Sequence, residues 1–102
     1  MPSPNEDASD GVQRIARRVV ARGHVQGVFY RDTCQREAEF RGVTGWVRNR
    51  TDGAVEALFE GPEGAVGQLV DWARSGPRRA VVDSSEVDEV EPSGLTRFEV
   101  RG

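Results

Sequence analysis

Lysine is absent from this chain of 102 residues, so all 14 basic side chains are arginines. Cysteine and histidine occur once each, as Cys34 and His24, which excludes an internal disulfide and a metal site built from several of these residues. No apolar run approaches the ~20 residues of a membrane span, and residues 1–10 lack the apolar core of a signal peptide. We therefore expect a cytoplasmic protein without membrane contact, and no metal or other cofactor.

The length fits one domain with one hydrophobic core. Residues 1–13 are rich in Pro, Ser, Asn and acidic side chains and offer almost nothing apolar to bury. This composition predicts a disordered N-terminal tail at 1–13, followed by a folded domain at 14–102.

The net charge of -3 conceals an asymmetry, because nine of the 14 arginines lie in residues 14–50 and most acidic residues lie beyond Asp52. A basic half can indicate an RNA-binding surface. However, Arg17, Arg18 and Arg22 lie on a predicted strand, where neighbours face opposite sides and do not form one patch. The interpretation as solvated surface arginines is favoured, and we expect no nucleic-acid partner.

The hydrophobic pattern predicts five strands and two helices. Strands are expected at 15–21, 43–49, 54–60, 80–90 and 98–101, and helices at 30–41 and from about Pro62 to Gly76. Asp52-Gly53 is a hairpin signal between the second and third strands. The order β-α-β-β-α-β predicts an α+β, ferredoxin-like sandwich, an antiparallel sheet with two helices on one face. The side chains expected in the core include Cys34, Trp46, Phe59 and Trp72.

The most informative segment is Gly23-His24-Val25-Gln26-Gly27-Val28-Phe29-Tyr30-Arg31, a glycine-containing turn between the first strand and a helix that opens on an arginine. Backbone N–H groups of such a loop and of a first helical turn can bind phosphate oxygens. Arg31 adds a planar donor fork that holds two oxygens at once. Alone, the pattern is equally consistent with a tight turn and a solvated arginine.

A second polar residue, Asn49, ends the second strand 18 residues after Arg31. In the predicted fold, strands one and two both pair antiparallel with strand three, so they run parallel and end at the same edge of the sheet. We therefore expect Arg31 and Asn49 to meet there, which favours a phosphate site over a tight turn.

The same residues carry a resemblance to a known family. Residues 23–31, with Gly45-Trp46-Val47-Arg48-Asn49, Asp52-Gly53-Ala54-Val55-Glu56, Trp72-Ala73-Arg74-Ser75-Gly76-Pro77 and Phe98-Glu99-Val100, resemble the acylphosphatase family. The resemblance covers everything except the N-terminal tail. It implies an acylphosphatase that hydrolyses a carboxylic-phosphoric anhydride to a carboxylate and inorganic phosphate.

The resemblance also implies roles for individual residues. Arg31 would be the phosphate-binding arginine, and Asn49 would hold the attacking water. The backbone cradle for the phosphate would be formed by His24, Val25, Gln26, Gly27, Val28, Phe29 and Tyr30.

Several alternatives remain open at this point. His24 is either a general base or a side chain beside the site, and Cys34 is interpreted as a structural residue of the first helix. A non-catalytic phosphate- or metabolite-binding module on the same fold is one rival function, and an RNA-binding ferredoxin-like domain is another. We expect a monomer that acts on a small acyl phosphate.

Overall fold

The computed structural model describes residues 13–102, so the prediction of a disordered tail falls outside the described residues apart from residue 13. Seven elements follow one another: β1 (Arg14–His24), α1 (Tyr30–Phe40), β2 (Thr44–Asn49), β3 (Val55–Pro62), α2 (Glu63–Ser75), β4 (Val81–Val90) and β5 (Phe98–Arg101). The predicted order is confirmed. β1 extends three residues beyond its predicted end, as far as His24.

The five strands form one sheet in the order β4-β1-β3-β2-β5. The β1–β3 and β2–β3 pairs are antiparallel, as predicted, and β1 also pairs antiparallel with β4. The prediction of a wholly antiparallel sheet is wrong at one edge, where β5 lies parallel to β2. β4 runs in the same direction as β3, and the connection at 91–97 reverses the chain. β5 therefore runs opposite to β3 and parallel to β2, which makes the sheet mixed at this edge.

Both helices cover one face of the sheet and enclose the core. The buried cluster combines helix residues with strand residues and includes Cys34, Ala38, Leu69, Val19, Val47 and Phe59. The core positions predicted for Cys34 and Phe59 are confirmed, and Trp72 packs partly buried against the same cluster.

The core position predicted for Trp46 is wrong. Its neighbours Gly45 and Val47 are buried, and Val47 belongs to the core cluster. Because successive residues of a strand face opposite sides, Trp46 lies on the face away from the helices, where it is half-buried. The guanidinium carbons of Arg101 and Arg48 lie 5.2 Å and 5.9 Å from its ring centroid, within the range of cation–π contacts.

Three arginines of β1 are paired with carboxylates from neighbouring strands and from the turn between β2 and β3. Arg18 lies 3.2 Å from Glu56 and 3.6 Å from Asp88. Arg22 lies 3.2 Å from Asp52 and 3.9 Å from Glu86. Arg17 lies 3.7 Å from Glu89. Such surface pairs add little stability. They do neutralise these arginines locally, which favours the solvated-surface interpretation over an RNA-binding stripe.

A buried carboxylate fixes the connection between β4 and β5. Glu60 is fully buried on the sheet face opposite the helices. Its carboxylate oxygens accept the backbone N–H groups of Ser93 at 3.0 Å and Gly94 at 2.8 Å, and Arg14 lies 3.8 Å away. Burial raises the pKa of Glu60, but these N–H groups and the Arg14 charge outweigh burial, so the net pKa is lowered from its ordinary value of 4.5.

We predict that Glu60→Gln lowers the free energy of unfolding by about 1–3 kcal/mol at pH 7. In the parent protein, each carboxylate oxygen accepts one backbone N–H group, whereas the nitrogen of a glutamine amide is a donor and cannot accept the second. The lowered folded-state pKa means that the charge of Glu60 stabilises the fold above pH 4.5 and that this stabilisation is lost as the pH falls through the folded-state pKa. Urea denaturation of both proteins between pH 7 and pH 3 measures the difference, which should shrink below about pH 4.5. Glu91→Gln, at an exposed position of the same connection, is the control. A difference that stays constant over this range would contradict the prediction.

Candidate active site

β1 ends in a bulge that redirects the chain toward the site. The register between β1 and β4 shifts between Arg22 and Gly23. Gly23 has a φ of 131°, and a Cβ atom at this position would lie 2.2 Å from the carbonyl oxygen of Val81. Only glycine fits this approach, and a bulge re-aims the residues that follow it. The loop therefore leaves the sheet directly after His24.

Two buried valines anchor the loop that follows. Val25 is fully buried and Val28 is nearly so, which fixes the chain on both sides of Gly27. Gly27 itself is exposed and has a φ of 77°, a left-handed conformation that a side chain would strain. The loop thus turns its backbone outward at Gly27 while its ends remain packed in the core.

The side chain of Gln26 ties this loop to the β2–β3 turn. Its Nε2 donates to the carbonyl oxygens of Arg50 at 2.8 Å and Ala54 at 2.9 Å. Arg50 directly follows Asn49, so this contact fixes the loop relative to the end of β2. The sequence predicts only a backbone role for Gln26, because no local pattern shows partners that lie 24 and 28 residues away.

The loop runs into the N-terminus of α1. Phe29 precedes the helix in a left-handed conformation, with φ 62° and ψ 27°, and no side chain caps the helix. The N–H of Thr33 donates to the carbonyl oxygen of Phe29, closing the first helical turn. The N–H groups of residues 30–32 precede it and have no acceptor within the helix. Together with the helix dipole, they favour an anion at this position.

Arg31 lies in this first turn and is held from the C-terminal strand. Its Nη1 donates to the carbonyl oxygen of Arg101, in β5, at 3.1 Å. A guanidinium has five N–H donors, so this contact orients the side chain and leaves further donors in the planar fork. The parallel pairing of β5 with β2 places that carbonyl group at the edge of the sheet where Asn49 ends β2.

Arg31 and Asn49 line one cavity of about 210 Å³. Its other lining residues are Val25, Gly27, Phe29, Tyr30 and Asp32. The meeting of the two residues follows from the register, because Ala21 of β1 and Asn49 of β2 both pair with Val55 of β3.

Not all residues expected in the cradle line this cavity. His24, Gln26 and Val28 lie outside its wall: His24 is exposed and pairs with Val81 in the sheet, while the other two hold the loop in place. This geometry does not support His24 as a general base. Asp32, which no sequence pattern indicated as a site residue, does line the cavity. An acidic residue in a first helical turn is common because of the dipole, so it gave no signal of a site.

Two further titratable groups near the cavity are structural. The hydroxyl of Tyr30 donates to the carbonyl oxygen of Ala73, which joins the start of α1 to the end of α2. Burial, followed by the neighbouring Cys34, raises the pKa of Tyr30 above its usual range. Burial, followed by the charge of Glu37, likewise raises the pKa of Cys34. A buried thiol with a raised pKa is a poor nucleophile, which agrees with the structural role expected for Cys34.

Within residues 13–102, no group of three or more His, Cys, Asp or Glu side chains is arranged to hold a metal ion. None of the helices in this part of the chain is long and apolar enough to cross a membrane.

The fold and the cavity define an α+β domain with a small cavity, lined by Arg31 and Asn49, at one edge of its sheet. Comparison with known proteins specifies this class further. The family model for acylphosphatase matches residues 17–100. A protein of Rubrobacter xylanophilus named acylphosphatase is 55% identical over 85 residues, which cover 82% of this chain and 77% of that protein.

Solved structures agree with the sequence comparison. An acylphosphatase from Coxiella burnetii superposes with a TM-score of 0.84 at 32% identity, covering 90% of this chain and 96% of the other. The acylphosphatase from Bacillus subtilis gives a TM-score of 0.82 at 38% identity, with 86% and 99% covered. The chain belongs to the acylphosphatase family.

Proposed function

We propose that the chain hydrolyses the carboxyl-phosphate bond of acyl phosphates and that Arg31 and Asn49 carry the reaction. Membership of the acylphosphatase family supports the activity. The observation that supports the residue roles is the shared cavity, in which a guanidinium, an amide side chain and a helix N-terminus lie together. The same cavity favours a small-molecule substrate.

In the proposed mechanism, the phosphate group lies against the N–H groups of those residues of the 24–30 loop that line the cavity and of the first turn of α1. Arg31 binds its oxygens in a bidentate contact and stabilises the charge that spreads over them in the transition state. Because the Arg101 carbonyl group already orients the guanidinium, little rearrangement is needed when substrate binds.

Asn49 orients the attacking water. Its amide has an acceptor and two donors, so it can hold a water molecule in line with the scissile bond without itself ionising. The water oxygen forms a bond to phosphorus as the phosphorus–oxygen bond to the acyl group breaks, and the acyl oxygen leaves with the electron pair as a carboxylate. The proton of the water passes to a phosphate oxygen, so no protein base is required.

Three narrower properties stay predictions: that the chain acts as a monomer, in the cytoplasm and without nucleic acid. The ion pairs of Arg17, Arg18 and Arg22 support the last of these.

Substrate class tests the activity itself. A carboxylate leaves readily as an anion, whereas an alkoxide leaving group needs protonation, and a missing general acid costs about 10²–10⁴-fold. We expect purified protein to hydrolyse acetyl phosphate and benzoyl phosphate, with a kcat/KM for glycerol phosphate lower by roughly 10²-fold or more. The rates should be the same with and without a chelator. Comparable kcat/KM values for both classes would refute the mechanism, and no turnover of any would favour a binding module.

Substitution of Arg31 tests phosphate binding. Both Arg31→Ala and Arg31→Lys should lose kcat/KM for acetyl phosphate by about 10²-fold or more, because a lysine cannot make the bidentate contact. Steady-state kinetics measure the loss, and circular dichroism checks folding. Arg36→Lys, an exposed arginine on the same helix, is the matched control and should behave as the parent protein. Parent-like kinetics in the folded Arg31→Lys variant would remove Arg31 from the site.

Substitution of Asn49 separates chemistry from binding. If Asn49 positions water and does not bind phosphate, Asn49→Ala should lower kcat by about 10²-fold or more. The inhibition constant of inorganic phosphate should be similar in the variant and in the parent protein. Inhibition by phosphate and the kcat for acetyl phosphate are measured on the same preparation. Thr51→Ala, an exposed change in the adjacent turn, controls for disturbance of the hairpin. A parallel loss of phosphate affinity would make Asn49 a ligand of the anion instead.

A further inference from the structure

Phe29 has a backbone and a side-chain position that the fold alone does not explain. Within residues 13–102 it is the non-glycine residue with a positive φ, at 62°. Its side chain is 68% exposed, so burial in the core does not offset this left-handed conformation. Glycine or asparagine would adopt the same backbone at lower cost. Strained, exposed residues of this kind concentrate at functional sites.

Phe29 is one of the residues that line the cavity containing Arg31 and Asn49, and it is exposed there. At about 210 Å³, this cavity is smaller than the ~300–1,000 Å³ of typical small-molecule sites. In the proposed mechanism, the phosphate group occupies the part of this cavity beside the N–H groups and Arg31. The cavity then leaves limited room for a large acyl group.

In-line displacement requires the leaving carboxylate to depart on the side of phosphorus opposite the water. The acyl group consequently points away from the water that Asn49 orients in the proposed mechanism. The exposed ring of Phe29 offers apolar surface at this cavity, and aromatic rings favour offset or edge-to-face contact with other rings.

We propose that Phe29 is a specificity-determining residue whose ring contacts the acyl group and favours acyl phosphates with an aromatic or extended apolar acyl group over acetyl phosphate. This inference rests on the proposed function. The bulk of an aromatic acyl group would be partly desolvated against the ring, whereas the single methyl of acetyl would not reach it.

The test compares kcat/KM for benzoyl phosphate with kcat/KM for acetyl phosphate in the parent and in three variants, Phe29→Leu, Phe29→Asn and Phe29→Gly. Asparagine and glycine both tolerate the left-handed backbone, so they remove the ring without adding strain. We expect the benzoyl-to-acetyl ratio to fall by about tenfold in both, mainly through KM, because the ring contacts the acyl group before and during reaction. Leucine keeps an apolar side chain and should give a smaller decrease.

Phe40→Asn provides the matched control. Phe40 is 86% exposed at the last position of α1, at the opposite end of the helix from the cavity, and its replacement should leave the ratio unchanged. A ratio within twofold of the parent in both Phe29→Asn and Phe29→Gly would overturn the inference while the hydrolytic activity stands. An inactive parent protein would instead overturn the proposed function, and the inference with it.

Discussion

The antiparallel pairing of β1 and β2 with opposite sides of β3 is the constraint on which the site depends. It makes β1 and β2 parallel and brings both of their C-terminal ends to the two sides of Val55, through its pairs with Ala21 and Asn49. The loop after β1 and the end of β2 are thereby placed next to each other, although no direct side-chain contact between them is required. The site is a consequence of register, and a register slip in either pair would also turn core side chains toward solvent. The energy that buries the core therefore fixes the geometry of the cavity as well.

Polar contacts from distant segments then refine this geometry. Gln26 ties the loop to the turn after Asn49, and the carbonyl group of Arg101 orients Arg31. The second contact depends on β5 pairing with β2, and that strand follows a connection held by the buried carboxylate of Glu60. The loop and Arg31 are thus each held by contacts with segments distant in sequence, which favours a preorganised site.

The sequence predicted the elements, their order and the meeting of Arg31 with Asn49, because these depend on hydrophobic period, turn chemistry and topology. It did not predict contacts that arise only from side-chain reach. The partners of Gln26 lie more than 20 residues away, and the Tyr30 hydroxyl bonds a carbonyl group on the other helix. Trp46 was predicted in the core because aromatic residues usually lie there. In the structure, Val47 faces the core, so its neighbour Trp46 faces the opposite side of the sheet. The roles of the site residues stay predictions.

The reactions that this cavity can catalyse depend on which hydrogen-bond and proton donors its lining residues provide. The phenol of Tyr30 uses its proton in the bond to Ala73, and burial makes it harder to ionise. His24 lies outside the wall of the cavity. Groups that stabilise negative charge therefore line the cavity, while neither Tyr30 nor His24 is placed to protonate a departing oxygen. Such a site can stabilise the negative charge of the transition state at phosphorus, but the leaving group has to be stable as an anion by itself. An anhydride of phosphate with a carboxylic acid meets that condition, because a carboxylate leaves. An alkyl phosphate ester does not, because an alkoxide would have to leave.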